Sequence, residues 1–322
     1  MTYSIVARDA ASGQLGVASA SHYFGVGRVV TWGRAGVGAV ATQSFVEPGY
    51  GPDGLALLSG GGTAPGVLAR LKSADVDAEL RQVAIVDARG AVGVFTGARC
   101  VGHHADVVGE GFAVLGNMLA NAAVVPAMAQ AYTDAQGDLA DRMLAALDAA
   151  EAAGGDARGR MSAAMVIVDG VQGKRIWDGR VLDIRVDDSV EPLAELRRLA
   201  VLSRAHRVFA DSVFTPGLLS RDTPTTGDEL TAALHALDSA GRVIGDDPEP
   251  LMWSGVLLAR AGRDIEAGHA LRRAVDRREP YADYLDQLHA VAILPQPGHH
   301  YLADPPDPIG VSSSRPSVSE HT

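Results

Sequence analysis

Four hydroxyl side chains near the start of the chain have spacings that could gather them into one reactive cluster. Residues 3–9 and 14–21 have a composition that predicts two strands joined by a short loop. If Asp9 pairs with Gln14 across that loop, two pairs of hydroxyls face each other on one side of the hairpin. The pairs are Thr2 with Ser21 and Ser4 with Ser19. The prediction depends on this register, because a slip of one residue would break the cluster.

Thr2 could act as a nucleophile that carries its own base. Met1 is normally removed before a small residue such as Thr, which would leave Thr2 with a free α-amine beside its hydroxyl. A hydroxyl is a weak nucleophile until a base takes its proton, and an α-amine titrates at about pH 8. Many proteins begin with Met-Thr, so this dipeptide alone does not establish catalysis. Ser4 is the second candidate, but its use would require the removal of three residues.

A glycine-rich segment at residues 154–162 joins a predicted helix to a predicted strand and contains charged side chains. They are Asp156, Arg158 and Arg160. Guanidinium groups bind carboxylates in a bidentate manner, so this segment is a candidate substrate-binding loop. A structural Asp–Arg pair is the alternative, and Gly154 suits the end of a helix. Arg8, in the first predicted strand, is a similar candidate.

Two further positions at the ends of predicted strands could stabilise the oxyanion that develops during acyl transfer. They are Thr42-Gln43 and Gly116-Asn117. Each position could present a backbone N–H or a side-chain amide to the developing charge. Turn formation is an equally good interpretation of Asn117. We therefore rank both positions below Thr2.

Composition and charge exclude several classes of function. The net charge of −11 argues against nucleic acid or an anionic membrane as the main partner. The single cysteine, Cys100, excludes an internal disulfide and a cysteine-rich metal site. His103 and His104 are adjacent, so in a strand they point to opposite faces, and we expect neither a metal ion nor an organic cofactor. Without a long apolar run or a signal peptide, the sequence predicts a cytoplasmic protein.

The order of the predicted elements indicates the fold class. Beyond the first hairpin, strands are predicted at residues 28–32, 37–43, 81–86, 91–96, 112–116, 162–168 and 181–186. Helices are predicted at residues 51–59, 64–72, 122–135, 139–153, 192–209, 227–240, 250–261, 265–277 and 281–291. Over residues 1–190 the order is strands, two helices, strands, two helices, strands. This α+β order suits two antiparallel sheets covered by helix pairs.

Residues 191–322 differ in character from residues 1–190. Residues 191–294 are predicted to form a small all-α region of helix hairpins with a weak likeness to tetratricopeptide repeats. Within it, residues 215–227 are rich in Pro, Thr and Gly and are predicted to be a linker. Residues 295–322 are rich in Pro, Ser and His and are predicted to be a disordered tail.

Many short segments, in the right order, resemble the family known as domain of unknown function 1028, which is classed with the N-terminal nucleophile (Ntn) hydrolases. The segments are YSIVARD at 3–9, GVASAS at 16–21, RAGVGAVATQ at 34–43, GYGPDGLALL at 49–58, RQVAIVDARG at 81–90, FTGARC at 95–100, GEGFAVLGN at 109–117 and GGDARGRMSAA at 154–164. The resemblance covers residues 2–190 and implies a four-layer αββα sandwich and amide-bond hydrolysis. The family commonly has Gln where this chain has Leu115 and Met161, which implies a different substrate or competence if those positions line the pocket.

The residues and the resemblance together predict an Ntn amidohydrolase without a cofactor. Thr2 would attack the carbonyl of a small-molecule or peptide amide, with its α-amine as the base, while Asn117 and backbone N–H groups stabilise the oxyanion. One alternative is an inactive sandwich that binds small molecules or serves as a protein-interaction scaffold. Another is a hydrolase of esters or cyclic amides with the same nucleophile. Sandwiches of this type often self-associate, so a homodimer is a possible assembly.

Overall fold

The computed structural model describes residues 2–175, 178–214 and 227–303 of the 322-residue chain. Within those ranges the protein is a mixed α+β structure with two antiparallel sheets and ten α-helices. The strands, β1 to β10, are Thr2–Arg8, Leu15–Ser21, Thr31–Arg34, Gly38–Ser44, Arg81–Asp87, Val92–Thr96, His103–Gly109, Phe112–Leu119, Ser162–Val168 and Arg180–Val186. The helices, α1 to α10, are Tyr50–Ser59, Ala64–Ala74, Val124–Asp134, Leu139–Ala152, Pro192–Val213, Gly227–Ile244, Glu249–Arg260, Asp264–Arg277, Tyr281–Ala290 and Gly298–Leu302.

The chain divides into two compact units, Met1–Val201 and Leu202–Thr322, with the boundary inside α5. Both sheets belong to the first unit. The larger sheet has the strand order β10-β9-β2-β1-β8-β7, and the smaller has the order β3-β4-β5-β6. Every neighbouring pair of strands is antiparallel. The first strand of the chain therefore lies in the middle of the six-stranded sheet, between β2 and β8.

Alternating side chains of β1 enter two different cores. Tyr3 and Ile5 pack into the core formed with α3 and α4, on one face of the six-stranded sheet. Val6 belongs to a second core between the two sheets, together with Ala41 of β4 and Ala84 of β5. Because successive side chains in a strand point to opposite faces, the even-numbered residues of β1 face the second sheet. The aliphatic hydroxyls of β1, those of Thr2 and Ser4, are both at even-numbered positions.

The outer face of the four-stranded sheet is covered by α1 and α2. Val83 and Ile85 of β5 form a third core with Leu55 of α1 and Val67 of α2. The two sheets thus pack face to face, with helices on their outer sides. The side chains between the sheets are mostly alanine and valine, whose small size allows the sheets to approach closely.

The glycine-rich segment after α4 begins with two residues in left-handed backbone conformations. Gly154 has a φ of 119° and Gly155 a φ of 56°. Their N–H groups donate to the carbonyl oxygens of Glu151 and Ala150, which closes the last turn of the helix. The predicted helix-ending role of Gly154 is confirmed. The chain then turns back towards the six-stranded sheet, where Asp156 forms an isolated bridge with Leu119.

Among its described residues, the second unit consists of helices and the turns that connect them. Its core gathers side chains from α6 to α10 and from the end of α5, including Leu237, Trp253, Leu271 and Leu285. The short helix α10 occupies part of the segment that the sequence predicts to be a disordered tail. The predicted linker falls largely on residues 215–226, which lie outside the described residues, as does the tail from residue 304. No described helix is both long and apolar enough to span a bilayer.

One strand is absent from the sequence prediction. β7, His103–Gly109, pairs with β8 at the edge of the six-stranded sheet, and most of its side chains are exposed or half-buried. An edge strand of this kind has few apolar residues, so it carries little of the signal by which buried strands are predicted.

Candidate active site

The predicted register of the first hairpin is confirmed. Ser4 pairs with Ser19 between β1 and β2, and their hydroxyl oxygens lie 2.7 Å apart. At the end of the same hairpin, the oxygens of Thr2 and Ser21 lie 3.1 Å apart. All four side chains are buried between the two sheets. The structure therefore gathers the four hydroxyls into one cluster at the start of the chain.

Two buried side-chain amides from neighbouring strands contact this cluster, and a third joins the two amides to each other. Gln43 Nε2 donates to the carbonyl oxygen of Thr2 at 3.2 Å, and Asn117 Nδ2 approaches the same oxygen at 3.5 Å. Both amides also donate to Gln82 Oε1, at 2.8 Å and 3.1 Å respectively. Gln43 and Gln82 face each other across β4 and β5, while Asn117 faces Thr2 across β8 and β1. The backbone of Thr2 is thus held from both sheets.

The hydrogen bonds of Gln82 fix the orientation of its amide. Its Nε2 donates to the backbone oxygens of Gly116 at 2.9 Å and Ala105 at 3.1 Å. Because backbone carbonyl oxygens only accept, the nitrogen must face them and Oε1 must face the other two amides. The NH₂ groups of Gln43 and Asn117 therefore point towards Gln82.

The same reasoning sets the direction of the bonds between the hydroxyls. With its nitrogen towards Gln82, Gln43 turns Oε1 to Ser4, whose hydroxyl donates to it at 2.5 Å. The Ser4 oxygen can then only accept from Ser19, so the proton of the Ser4 hydroxyl is committed to Gln43. In the contact between Thr2 and Ser21, either hydroxyl can be the donor. The two hydroxyl pairs differ in chemistry although they share a strand face.

The backbone is strained directly after two of the amides. Ser44 follows Gln43 with a φ of 73°, and Met118 follows Asn117 with a φ of 48°. Left-handed conformations are uncommon in residues other than glycine, and such strain concentrates at functional sites. In addition, the Oδ1 atom of Asn117 is buried and has no hydrogen-bond partner among the residues that the structure describes.

Two predicted site residues lie away from the cluster. Thr42 is adjacent to Gln43 and so faces α1 instead, where its hydroxyl donates to the carbonyl oxygen of Glu47 at 3.1 Å. Arg8 ends β1, about 20 Å from Thr2 at the rise of a strand. Its Nε donates to the carbonyl oxygen of Ala88. The structure therefore brings neither residue to the hydroxyl cluster.

The charged side chains of the glycine-rich loop are engaged with the protein itself. The buried carboxylate of Asp156 accepts from the backbone N–H of His22 and that of Arg158, each at 2.8 Å. The guanidinium of Arg158 forms an ion pair with the same carboxylate. Arg160 forms ion pairs with two glutamates, one in α4 and one just before α5. The interpretation as a structural Asp–Arg pair fits these contacts.

The loop is also tied to the residue beside Thr2. Glu151 of α4, which pairs with Arg160, accepts a hydrogen bond from the hydroxyl of Tyr3 at 2.5 Å. Burial, reinforced by this carboxylate, raises the pKa of Tyr3 well above its usual value. Tyr3 therefore stays neutral and anchors the start of β1 to the helix layer.

Sequence reasoning missed Gln82, which joins the two other amides. It lies at the start of β5, on the same face as Ala84 and Val86 of the core between the sheets. A polar residue in phase with those alanine and valine positions is the signal that could have found it. Leu115, one of the two departures from the family pattern, is fully buried in that core.

The remaining reactive side chains offer no competing centre among the described residues. Cys100 is buried, and burial raises the pKa of its thiol, which disfavours the reactive thiolate. No three His, Cys, Asp or Glu side chains in the described ranges are grouped closely enough to hold a metal ion. The hydroxyl and amide cluster is therefore the best-supported candidate site.

Comparison with known proteins places this geometry in context. The model of a family of unknown function, DUF1028, matches residues 2–196. The chain is similar to protein SPO2555 from Silicibacter pomeroyi, a member of the same family whose crystal structure is known. The two are 30% identical, with a TM-score of 0.56 over 62% of this chain and 84% of the other. A search of curated proteins found no significant match.

Proposed function

The chain belongs to the DUF1028 family, and from that premise we propose that it is an N-terminal nucleophile amidohydrolase in which Thr2 is the nucleophile. The packing of two sheets between helix layers supports the four-layer Ntn-type sandwich that the family resemblance implies. The observation that carries the proposal is the position of Thr2. It begins a central strand, its hydroxyl lies 3.1 Å from Ser21, and its carbonyl oxygen is approached by two side-chain amides.

The ladder between β1 and β8 supports a defined position for the α-amine. Arg8 N donates to Gly111 O, and the register stays constant along the pair. Hydrogen-bonded pairs alternate in an antiparallel ladder, so the nitrogen of Thr2 lies opposite the backbone oxygen of Asn117. After removal of Met1, which lies outside the described residues, the amine would keep this acceptor and stay beside its own hydroxyl.

The proposed reaction needs only the groups of Thr2, the substrate and water. The Thr2 oxygen attacks the amide carbonyl carbon while the α-amine takes the hydroxyl proton, directly or through water. The tetrahedral intermediate then loses its C–N bond, and the departing nitrogen receives that proton. Water hydrolyses the resulting ester, which releases the carboxylic acid and restores Thr2. The substrate is a small-molecule or peptide amide.

Asn117 is the proposed side-chain donor to the oxyanion. Both N–H groups of its amide are engaged in the structure, one by Gln82 and one by the Thr2 carbonyl oxygen. The contact with Thr2 is long, at 3.5 Å, and that oxygen also accepts from Gln43. When the tetrahedral intermediate forms on Thr2, the negative charge lies on the former carbonyl oxygen of the substrate. Of the two Asn117 N–H groups, the one with the long contact to Thr2 can turn to this oxyanion with the smaller loss of existing hydrogen bonding.

Intact-mass analysis before and after treatment with a β-lactone, followed by peptide mapping, tests the proposal. We expect loss of Met1 and a covalent adduct on Thr2. Thr2→Ser should keep the adduct, whereas Thr2→Ala and a non-removable N-terminal extension should each abolish it. Retained Met1, or an intact unlabelled Thr2, would refute the mechanism and favour a sandwich that binds ligands or proteins without hydrolysis.

A further inference from the structure

We propose that Gln82 is a positioning residue that keeps the amide nitrogen of Asn117 directed at Thr2. The inference rests on the proposed function, because the oxyanion donor is the group that Gln82 would hold. Gln82 is fully buried and lies in the four-stranded sheet, whereas Asn117 and Thr2 lie in the six-stranded sheet. The Gln82 side chain thus reaches from the four-stranded sheet to the Asn117 amide of the six-stranded sheet and fixes the orientation of that amide.

A side-chain amide can direct either its NH₂ group or its oxygen at a neighbour, and the orientation of Asn117 determines which of the two lies next to Thr2. With Nδ2 towards Thr2, Asn117 offers an N–H donor that stabilises negative charge. Turned by half a rotation, it would offer Oδ1, a lone-pair oxygen that repels an oxyanion. The Thr2 carbonyl oxygen alone selects the first orientation only weakly, since its contact with Nδ2 is 3.5 Å long. The shorter hydrogen bond from Asn117 Nδ2 to Gln82 Oε1, at 3.1 Å, favours that orientation more strongly.

Gln82 can fix the orientation of Asn117 because the orientation of its own amide is fixed by hydrogen bonds. A turned Gln82 would place Oε1 against the carbonyl oxygens of Gly116 and Ala105, with no hydrogen between them. Thr96 adds a third acceptor: its hydroxyl, which donates to Asp106 at 2.6 Å, lies 3.0 Å from Gln82 Nε2, and the three oxygens share the two hydrogens of that nitrogen. The backbone of β7 and β8 therefore determines the orientation of the Gln82 amide, and the Gln82 amide determines that of Asn117.

The orientation also explains the unpartnered Oδ1 of Asn117. Among the described residues that buried atom has no hydrogen-bond donor, and a turn of the amide would only point it at two other acceptors, Gln82 Oε1 and the Thr2 carbonyl oxygen. The turn would break both the bond to Gln82 and the contact with Thr2. Gln82 thus stabilises the orientation in which the amide nitrogen of Asn117, and not its oxygen, faces Thr2.

Gln82→Met tests this role, because Met has a similar shape and lacks the amide. The β-lactone labelling rate of Thr2, per folded molecule, should fall on the order of tenfold. The side-chain NH₂ protons of Asn117, followed by NMR, should exchange with solvent on the order of tenfold faster, because they lose a buried acceptor. Gln82→Glu keeps the shape but cannot donate to both carbonyl oxygens, and we expect changes in the same direction.

Asp87→Ala is the matched control. Asp87 is a buried polar residue at the opposite end of β5, where its carboxylate accepts from the N–H of Ala64 at 2.9 Å. This variant should lose stability without changing the labelling rate or the Asn117 protons. Wild-type labelling of folded Gln82→Met, or unchanged proton exchange, would overturn the proposal. An unlabelled wild type would instead refute the proposed function, and the Asn117 protons would still show whether Gln82 orients that amide.

Discussion

The hydroxyl of Ser4 donates to Gln43 Oε1 at 2.5 Å, and this bond separates two hydroxyls that look equivalent in the sequence. The Ser4 proton is held by an amide oxygen, which cannot act as a base near neutral pH. Thr2 lies two residues earlier on the same strand face, and either partner can donate in its contact with Ser21. Of the two hydroxyls, only that of Thr2 would also adjoin a free α-amine after the removal of Met1.

Ser4→Ala should therefore leave Thr2 labelled by the β-lactone. We expect the free energy of unfolding to fall by about 1–3 kcal/mol, because buried Gln43 Oε1 loses its donor. Urea denaturation and peptide mapping measure the two effects. Ser19→Ala, which leaves the Ser4–Gln43 bond intact, is the control and should cost less. An adduct on Ser4 in the wild type would contradict this assignment.

Asn117→Asp should be more harmful than its size suggests. The substitution replaces the Nδ2 donor by an oxygen that faces Gln82 Oε1 and the Thr2 carbonyl oxygen. Loss of one oxyanion donor typically lowers the rate by a factor of about 100 to 1,000, so we expect a decrease of that order in Thr2 labelling. Thermal unfolding should show a lower Tm. Unchanged labelling of a folded Asn117→Asp protein would remove Asn117 from the site.

The sequence was sufficient to predict the first hairpin, because its register follows from a short loop and a local pattern. It was insufficient to choose between Thr42 and Gln43. Adjacent strand residues face opposite ways, and both faces of β4 are buried, so the apolar pattern of Val40 and Ala41 marks neither face as the one towards β1. That choice depends on how the two sheets pack.

The role of Gln82 could not be predicted from the sequence for a related reason. Its partners lie in strands β4 and β8, far away along the chain and partly in the other sheet, so no local spacing brings them together. The prediction that Arg8 belongs to the site made the opposite mistake, because it relied on closeness along the chain. Arg8 shares β1 with Thr2, but a strand of that length separates its two ends by about 20 Å, and residues in one strand need not share one site.

Asp156 should prove to be a structural residue. Asp156→Ala leaves the N–H of His22 without its acceptor, directly after Ser21, and should lower the free energy of unfolding by about 1–3 kcal/mol. Arg158→Met removes a side chain that is 41% exposed and should cost less than about 1 kcal/mol, with Thr2 labelling unchanged. Chemical denaturation of both variants measures the difference. Slower labelling of Arg158→Met at unchanged stability would instead indicate that Arg158 contacts the substrate.

Asp75 should make the stability of the first unit depend on pH in the acid range. The side chain of Arg81, which donates to Asp75 at 2.9 Å, lowers the pKa of that carboxyl group. Arg81 also donates to the carbonyl oxygen of Phe45 and immediately precedes Gln82, so this ion pair steadies the start of β5. A lowered pKa in the folded state adds stability above the unfolded value of about 3.9, and this stability is lost as the pH falls through the folded pKa.

Asp75→Asn removes that contribution. At pH 7 we expect the free energy of unfolding to fall by about 1–3 kcal/mol, since a hydrogen-bonded ion pair with both side chains about 15% exposed is lost. Well below the folded pKa, the variant and the wild type should differ little, because the wild-type carboxyl is then protonated. Urea denaturation from pH 7 down to about pH 2 measures this convergence. Asp77→Asn, at an exposed position two residues away, is the control and should follow the wild-type curve. A constant difference between Asp75→Asn and wild type at every pH would show that the Asp75 charge is not what stabilises β5.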